Sequence, residues 1–140
     1  MYTLYACLTL NDTLKIIPES TIVKTFETGM TGTLAHLLTN EYIRISDLFY
    51  GLMLPSGNDA ACVLAAYYGC WIASFTGQNR PLKTFRKESL DQNLKNHKLY
   101  IKKFIQYVNK IIVKECLGHK NTHFENPHGL PDKNQLSTAW

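Results

Sequence analysis

No stretch of this sequence approaches the roughly 20 consecutive apolar residues that a membrane-spanning helix requires. There is no C-x-x-C pair, no dense cysteine framework and no internal repeat. The opening MYTLYACLTL is apolar but has no basic lead-in and no small-residue cleavage site, so it does not read as a secretory signal peptide. Thr28-Gly29-Met30-Thr31-Gly32-Thr33 has two glycines but lacks the strand-to-helix fingerprint of a phosphate loop, and reads as a plain loop. The four cysteines (Cys7, Cys62, Cys70, Cys116) lie far apart and read as small buried hydrophobes, a reading that leaves their pairing open.

What is present suits a globular domain. The 140 residues are 45% hydrophobic and 19% charged, and a chain of this length buries about 68–70% of its unfolded surface. The net charge of +4 is uneven. Residues 80–120 hold eleven Lys/Arg against three Asp/Glu, and the remainder holds four against eight. Such a block can meet nucleic acid or an anionic membrane. Its aromatics follow the apolar stripe of one helix, which favours a solvated face, and no nucleic-acid partner is expected.

The periodicity outlines the elements. Tyr2–Leu10 fits either a helix end or a buried strand, with Asn11-Asp12 as a turn. Ile16-Ile17, Thr21–Phe26 and Tyr42–Ile45 suggest short extended segments. Ser46 is expected as an N-cap, with Asp47 in the first turn and Pro55 as the stop. Ala60–Tyr68 predicts a small-residue core helix. Trp71–Lys98 is polar, and predicts a surface insertion with one helical turn near Lys83–Leu90. From His97, Ile101, Phe104, Ile105, Val108, Ile111, Ile112 and Cys116 form an apolar stripe, with Asn109 assigned to the opposite, lysine-rich face. Gly118 is expected to end that helix.

Two blocks carry chemistry. Leu54–Ala61 reads LPSGNDAA after an apolar helix, and Lys120–Leu130 reads KNTHFENPHGL. On local grounds Ser56, Gly57, Asn58 and Asp59 are turn and cap residues. In this order and context the blocks closely resemble the D-alanyl-D-alanine carboxypeptidases, low-molecular-weight penicillin-binding proteins of the β-lactamase/transpeptidase-like superfamily. The resemblance covers most of the chain outside roughly residues 71–98.

The resemblance implies an α/β (α+β) fold, of which residues 1–140 supply part of a catalytic domain: mainly the helical subdomain with a few short strands, incomplete. It implies a serine carboxypeptidase that removes the terminal D-alanine from peptidoglycan-like stem peptides through an acyl-enzyme, inhibited by β-lactams. No metal or organic cofactor is implied. Complete family members are usually exported. Three motifs serve the reaction: S-x-x-K, S-x-N and K-T-G. Carried over by position, Ser56 would relay a proton towards the departing amine, and Asn58 would hold the substrate peptide group and help orient the lysine.

The other two motifs are missing from these residues. None of the six serines has a lysine three positions on, and K-T-G does not occur. By the family pattern S-x-x-K would fall just before Met1 and K-T-G beyond Trp140, so this stretch alone is expected to be inactive. Two other readings compete. One is a degenerate relative that keeps the scaffold as an interaction surface. The other is a zinc site built from Cys116, His119, His123 and His128, whose C-x₂-H-x₃-H-x₄-H spacing suits the metal. The family-like block needs no metal there, and Gly118 would separate His119 and His123 from a common helical face.

Overall fold

The computed structural model describes residues 1–77, 96–116 and 121–136. Helix α1 (Tyr2–Leu14) is followed by strands β1 (Ile22–Lys24) and β2 (Tyr42–Arg44), then helices α2 (Ile45–Met53), α3 (Asn58–Gly77) and α4 (His97–Tyr107). A π-helical segment, Val108–Cys116, continues α4 directly. The strands pair antiparallel, with Ile22 opposite Arg44, Val23 opposite Ile43 and Lys24 opposite Tyr42. Among the described residues no helix is long and apolar enough to cross a membrane.

The core is helix on helix, with α3 at its centre. Every residue from Ala60 to Cys70 is buried, so this helix has no solvated face along that length. The run of small residues makes this feasible, because alanine and glycine let neighbouring backbones come close. Gly69 shows how close: a Cβ there would lie 1.9 Å from the carbonyl oxygen of Tyr100 on α4. Helix α1 buries Ala6, Cys7, Leu10 and Leu14, an i, i+1, i+4, i+8 stripe. From the far side, Phe104, Ile105, Val108, Ile112 and Val113 close the core.

Several expectations are corrected. Asn11-Asp12 is not a turn, because α1 continues to Leu14. Asn11 faces inward and accepts a buried hydrogen bond from the Tyr68 hydroxyl, so a residue typical of turns serves here as a core partner. The helix ends at Lys15, left-handed at φ 54°, where Ile16 N–H reaches back to Asn11 O at 3.1 Å. Ile16-Ile17 forms no strand. Ser46 is not the N-cap of α2; Arg44 holds that position without a side-chain cap. Backbone carbonyls replace the cap, Thr21 O accepting from Ile45 N–H at 3.0 Å and Pro18 O from Ser46 N–H at 3.2 Å. Asp47 lies in the first turn as expected and also pairs with Arg44 at 2.9 Å.

The break expected at Trp71 comes later. Trp71–Gly77 completes α3, with Trp71 edge-on to Tyr67 at 6.5 Å. The rest of the expected insertion up to residue 95, the expected turn at Lys83–Leu90 and Gly118 all lie outside the described residues. Cys7, Cys62 and Cys70 are free thiols buried in the core, as their dispersed positions suggested. Burial raises all three pKa values, that of Cys62 to about 12 with help from the Asp59 carboxylate, so these thiols are packing groups and not nucleophiles.

The α3–α4 contact makes a direct prediction. Gly69→Ala would drive a methyl group into the Tyr100 backbone, which no side-chain rotation can relieve. We expect a loss of about 3 kcal/mol in chemical denaturation. A neutral result would mean that the two helices sit further apart.

Candidate functional site

The Pro55–Asp59 turn is held almost entirely by contacts to residues 31–37. Gly57 sits where a side chain has no room, since a Cβ would lie 2.6 Å from Gly51 O and 2.8 Å from Ala35 N. Its own N–H donates to Gly51 O at 3.0 Å. Asn58 N–H donates to Thr33 O at 2.9 Å, and Asn58 Nδ2 donates to Thr31 O at 2.8 Å. Asp59 completes the seam: Oδ1 accepts from Ala35 N–H at 2.8 Å and Ala60 N–H at 2.9 Å, and Oδ2 accepts from Leu37 N–H at 3.1 Å. A carboxylate at the first turn of α3 also suits the helix dipole. The Gly/Thr loop expected from sequence is therefore the brace of the turn.

Ser56 differs from its neighbours. Gly57, Asn58 and Asp59 are buried, whereas Ser56 is exposed and left-handed at φ 55°. A non-glycine residue in that region costs about 1–3 kcal/mol and persists only where its surroundings enforce it. Here the anchored residues on its C-terminal side and Pro55 on the other fix the backbone and leave Ser56 exposed.

Ser56 stands at a cleft of about 400 Å³. Leu52 and Met53 line it from the end of α2, Ser56 and Gly57 from the α2–α3 turn, and Asn58 from the start of α3. Met1, Tyr2 and Thr3 line it from the start of α1, Ile105 from the end of α4, Val108 from the start of the π-helical segment, and Phe124 with Asn126–Gly129 from the second sequence block. The two blocks picked out in the sequence, some 65 residues apart, thus face one another.

The second block is a wall with several ties. His123 and Leu136 exchange backbone hydrogen bonds at 2.8 and 2.9 Å. Thr3 Oγ1 donates to Pro127 O, and the rings of Tyr2 and Phe124 meet at 4.6 Å. Asn126 closes the turn, accepting from Gly129 N–H at 2.7 Å and donating to Leu130 O at 2.9 Å. Leu130 N–H donates to His128 Nδ1 at 3.3 Å, which assigns the neutral ring its proton at Nε2. Burial lowers the His128 pKa from its ordinary 6.5.

Sequence periodicity misplaced one residue that shapes this wall. Asn109 lies four positions after Ile105, on the apolar stripe and not on the lysine face, and it is only 8% exposed. Its Nδ2 donates to Phe124 O at 2.7 Å and its Oδ1 accepts from Phe124 N–H at 2.8 Å. The available signal was a lone amide interrupting an apolar i, i+4 row.

The zinc reading finds no geometry in its favour. His119 and the Cys116 side chain lie outside the described residues. His123 Nε2 pairs with Glu125 at 3.0 Å, and His128 Nδ1 is engaged by Leu130. Among the described residues no group of three potential ligands converges.

Structural comparison defines the class of protein first. The fold matches the Streptomyces K15 DD-transpeptidase with a TM-score of 0.65 over 98% of this chain and 44% of that one, at 24% identity. It matches the D-alanyl-D-alanine carboxypeptidase DacD of Francisella tularensis with the same TM-score over 98% of this chain and 25% of that one, at 22% identity. The architecture is thus the mainly helical portion of the β-lactamase-like DD-peptidase fold. In sequence, the chain is 31% identical over 100 residues to D-alanyl-D-alanine carboxypeptidase DacA of Haemophilus influenzae, covering 71% of this chain and 18% of that protein. It is 32% identical over 104 residues to the D-alanyl-D-alanine carboxypeptidase of Streptomyces sp. strain K15, covering 74% and 27% respectively. No family model matches the sequence. The chain belongs to the D-alanyl-D-alanine carboxypeptidase family and corresponds to about a fifth to a quarter of the length of these curated relatives.

Two predictions follow from the geometry. Ser56→Gly relieves the left-handed strain and should raise stability by about 1 kcal/mol in chemical denaturation. A loss of stability would show that the hydroxyl holds the turn together. For His128, the folded state resists protonation while the unfolded chain accepts it near the ordinary 6.5. Its contribution is complete above that value and is lost as pH falls towards the lowered folded pKa. His128→Gln should flatten the slope of stability against pH below 6.5, and an unchanged slope would remove His128 as its cause.

Proposed function

We propose that the cleft is one portion of the substrate site of a serine D-Ala-D-Ala carboxypeptidase, with Ser56 and Asn58 as its S-x-N elements. The observation that carries this reading is the strained, exposed Ser56 beside an anchored Asn58, facing the Phe124–Gly129 wall across a cleft. Backbone strain of this kind gathers at working sites, and of the left-handed residues Lys15, His36, Asn40 and Ser56 it is Ser56 that lines the cleft. In the proposed reaction Ser56 passes a proton to the departing D-alanine amine. Asn58 gives a polar contact to the substrate's peptide group. Peptides ending in D-Ala-D-Ala, and the β-lactams that imitate them, are the ligands this reading assigns.

Ser56 is not assigned as the attacking nucleophile. A serine hydroxyl needs a basic neighbour to take its proton. None of the described residues lining the cleft is a lysine, arginine or carboxylate. His128 is the imidazole present, and its Nδ1 already accepts from Leu130. Attack and activation belong to the S-x-x-K element in the family chemistry, and these 140 residues contain none. Losing the serine nucleophile of a comparable hydrolase costs on the order of 10⁶ in turnover. Residues 1–140 are accordingly proposed as a partial catalytic domain, inactive by themselves.

The purified chain is expected to release no D-alanine and to form no covalent adduct with a fluorescent penicillin. It is expected to bind a diacyl-L-Lys-D-Ala-D-Ala peptide weakly, read as NMR shift changes at the Ser56, Gly57 and Asn58 amides. The L-Ala-L-Ala peptide should not produce them, and Asn58→Ala should abolish them. Equal responses to both peptides, or changes confined to the lysine-rich face, would overturn the assignment. D-Alanine release abolished by Ser56→Ala would instead make Ser56 the nucleophile.

A further inference from the structure

We infer that Asn109 is a positioning residue, whose two-bond clasp on the Phe124 backbone fixes the wall of the cleft opposite Ser56 and Asn58; the inference rests on the reading of the cleft as a substrate site.

The amide is placed where a hydrophobe would otherwise sit. Ile105, Val108, Ile112 and Val113 around it on the same stripe are all buried apolar residues. An amide buried there has to find partners for both its donor and its acceptor. Asn109 finds both on one residue, using Nδ2 for Phe124 O and Oδ1 for Phe124 N–H. This is how a neighbouring strand would pair with Phe124, so one side chain does the work of a strand residue. The result ties a loop to a helix with defined direction and register, which an apolar contact alone cannot do because it has no directional preference.

The clasp acts on the cleft through short covalent and packing paths. Phe124 is itself a lining residue, and Asn126 begins the lining turn two residues later. The Phe124 ring meets Tyr2, and Pro127 is tied to Thr3, so the wall and the start of α1 are held as one unit. Asn109 is not among the residues lining the cleft. Its effect on a ligand would therefore pass through Phe124. The amide lies just inside the π-helical segment. Such departures from α-helical geometry are associated with functional positions.

The test uses the 140-residue chain and two variants, Asn109→Ala and Asn109→Asp. Three quantities are measured: amide hydrogen exchange, the NMR shifts of the Phe124 and Tyr2 ring protons, and binding of the diacyl-L-Lys-D-Ala-D-Ala peptide. In Asn109→Ala, exchange at the Phe124, Asn126, His128, Gly129 and Leu130 amides should accelerate by at least about tenfold, as expected when both hydrogen bonds to Phe124 are lost. The core amides of α3 should keep their protection, and the mutual ring-current shifts of Tyr2 and Phe124 should collapse. Peptide binding should weaken by about tenfold or more. Asn109→Asp keeps an acceptor for Phe124 N–H but turns a second oxygen towards Phe124 O, so Phe124 exchange should fall between the other two. Uniform acceleration across α3 in both variants would make Asn109 an ordinary stabilising residue and overturn the inference. So would unchanged peptide affinity in a variant whose wall has loosened. If the unmodified chain does not bind the peptide, the substrate-site reading fails; unchanged wall exchange and ring shifts would then refute the clasp separately, and localised changes would support it.

Discussion

The site depends on one buried carboxylate. Asp59 opens the first turn of α3 at 5% exposure, where an unpartnered charge would be very costly. Its oxygens accept from the backbone N–H groups of buried Ala60 and of the partly buried Ala35 and Leu37, which also need partners. The exchange solves two problems at once, fixing the start of the central helix and docking an irregular loop against it. With Ala35 held there, only glycine fits at 57, and Thr31 and Thr33 are presented to Asn58. The left-handed conformation of Ser56 is the last consequence of this chain of constraints.

A second consequence concerns rigidity. A group that transfers a proton must be held within hydrogen-bond reach of its partner, and small displacements cost much of the rate. The proposed relay would need such rigidity, and the cleft is held by side chain to backbone hydrogen bonds: Asn58 to Thr31, Asp59 to Ala35 and Leu37, Thr3 to Pro127, Asn109 to Phe124. Each ties an irregular segment to a helix terminus or helix face. Loops carry the functional groups, and the helical core sets where the loops stand.

How much of this was legible in sequence differs from residue to residue. The Pro55–Asp59 turn could be read because its residue types are set by backbone needs that are local: a stop, a tight approach and a cap. The small-residue run of α3 was equally plain from Ala60 to Tyr68. Its extension through Trp71 and Ile72 was not, since those side chains are only half buried and dilute the pattern. Asn11 and Asn109 were misread for one shared reason. Local rules treat asparagine as a turn or surface residue, whereas here Tyr68 and the Phe124 backbone, distant in sequence, supply the partners that make burial tolerable. Tertiary hydrogen bonding overrode propensity in both cases.

The same residues separate what this cleft can do from what it cannot. A site able to run acyl transfer by itself would bring a nucleophile, a base and an oxyanion stabiliser within a few ångströms of one another. The described lining offers one strained hydroxyl, one anchored amide and one imidazole whose Nδ1 is already engaged by a backbone N–H. None of these is a hydroxyl paired with a free base, which accords with the proposed role of the cleft as a binding and relay portion of a larger site. The division of labour agrees with the motif content of the sequence, in which S-x-N is present while S-x-x-K and K-T-G are not. On the proposed relay role, the left-handed backbone that its neighbours impose on Ser56 would be the strain that holds this residue at a fixed place beside the cleft.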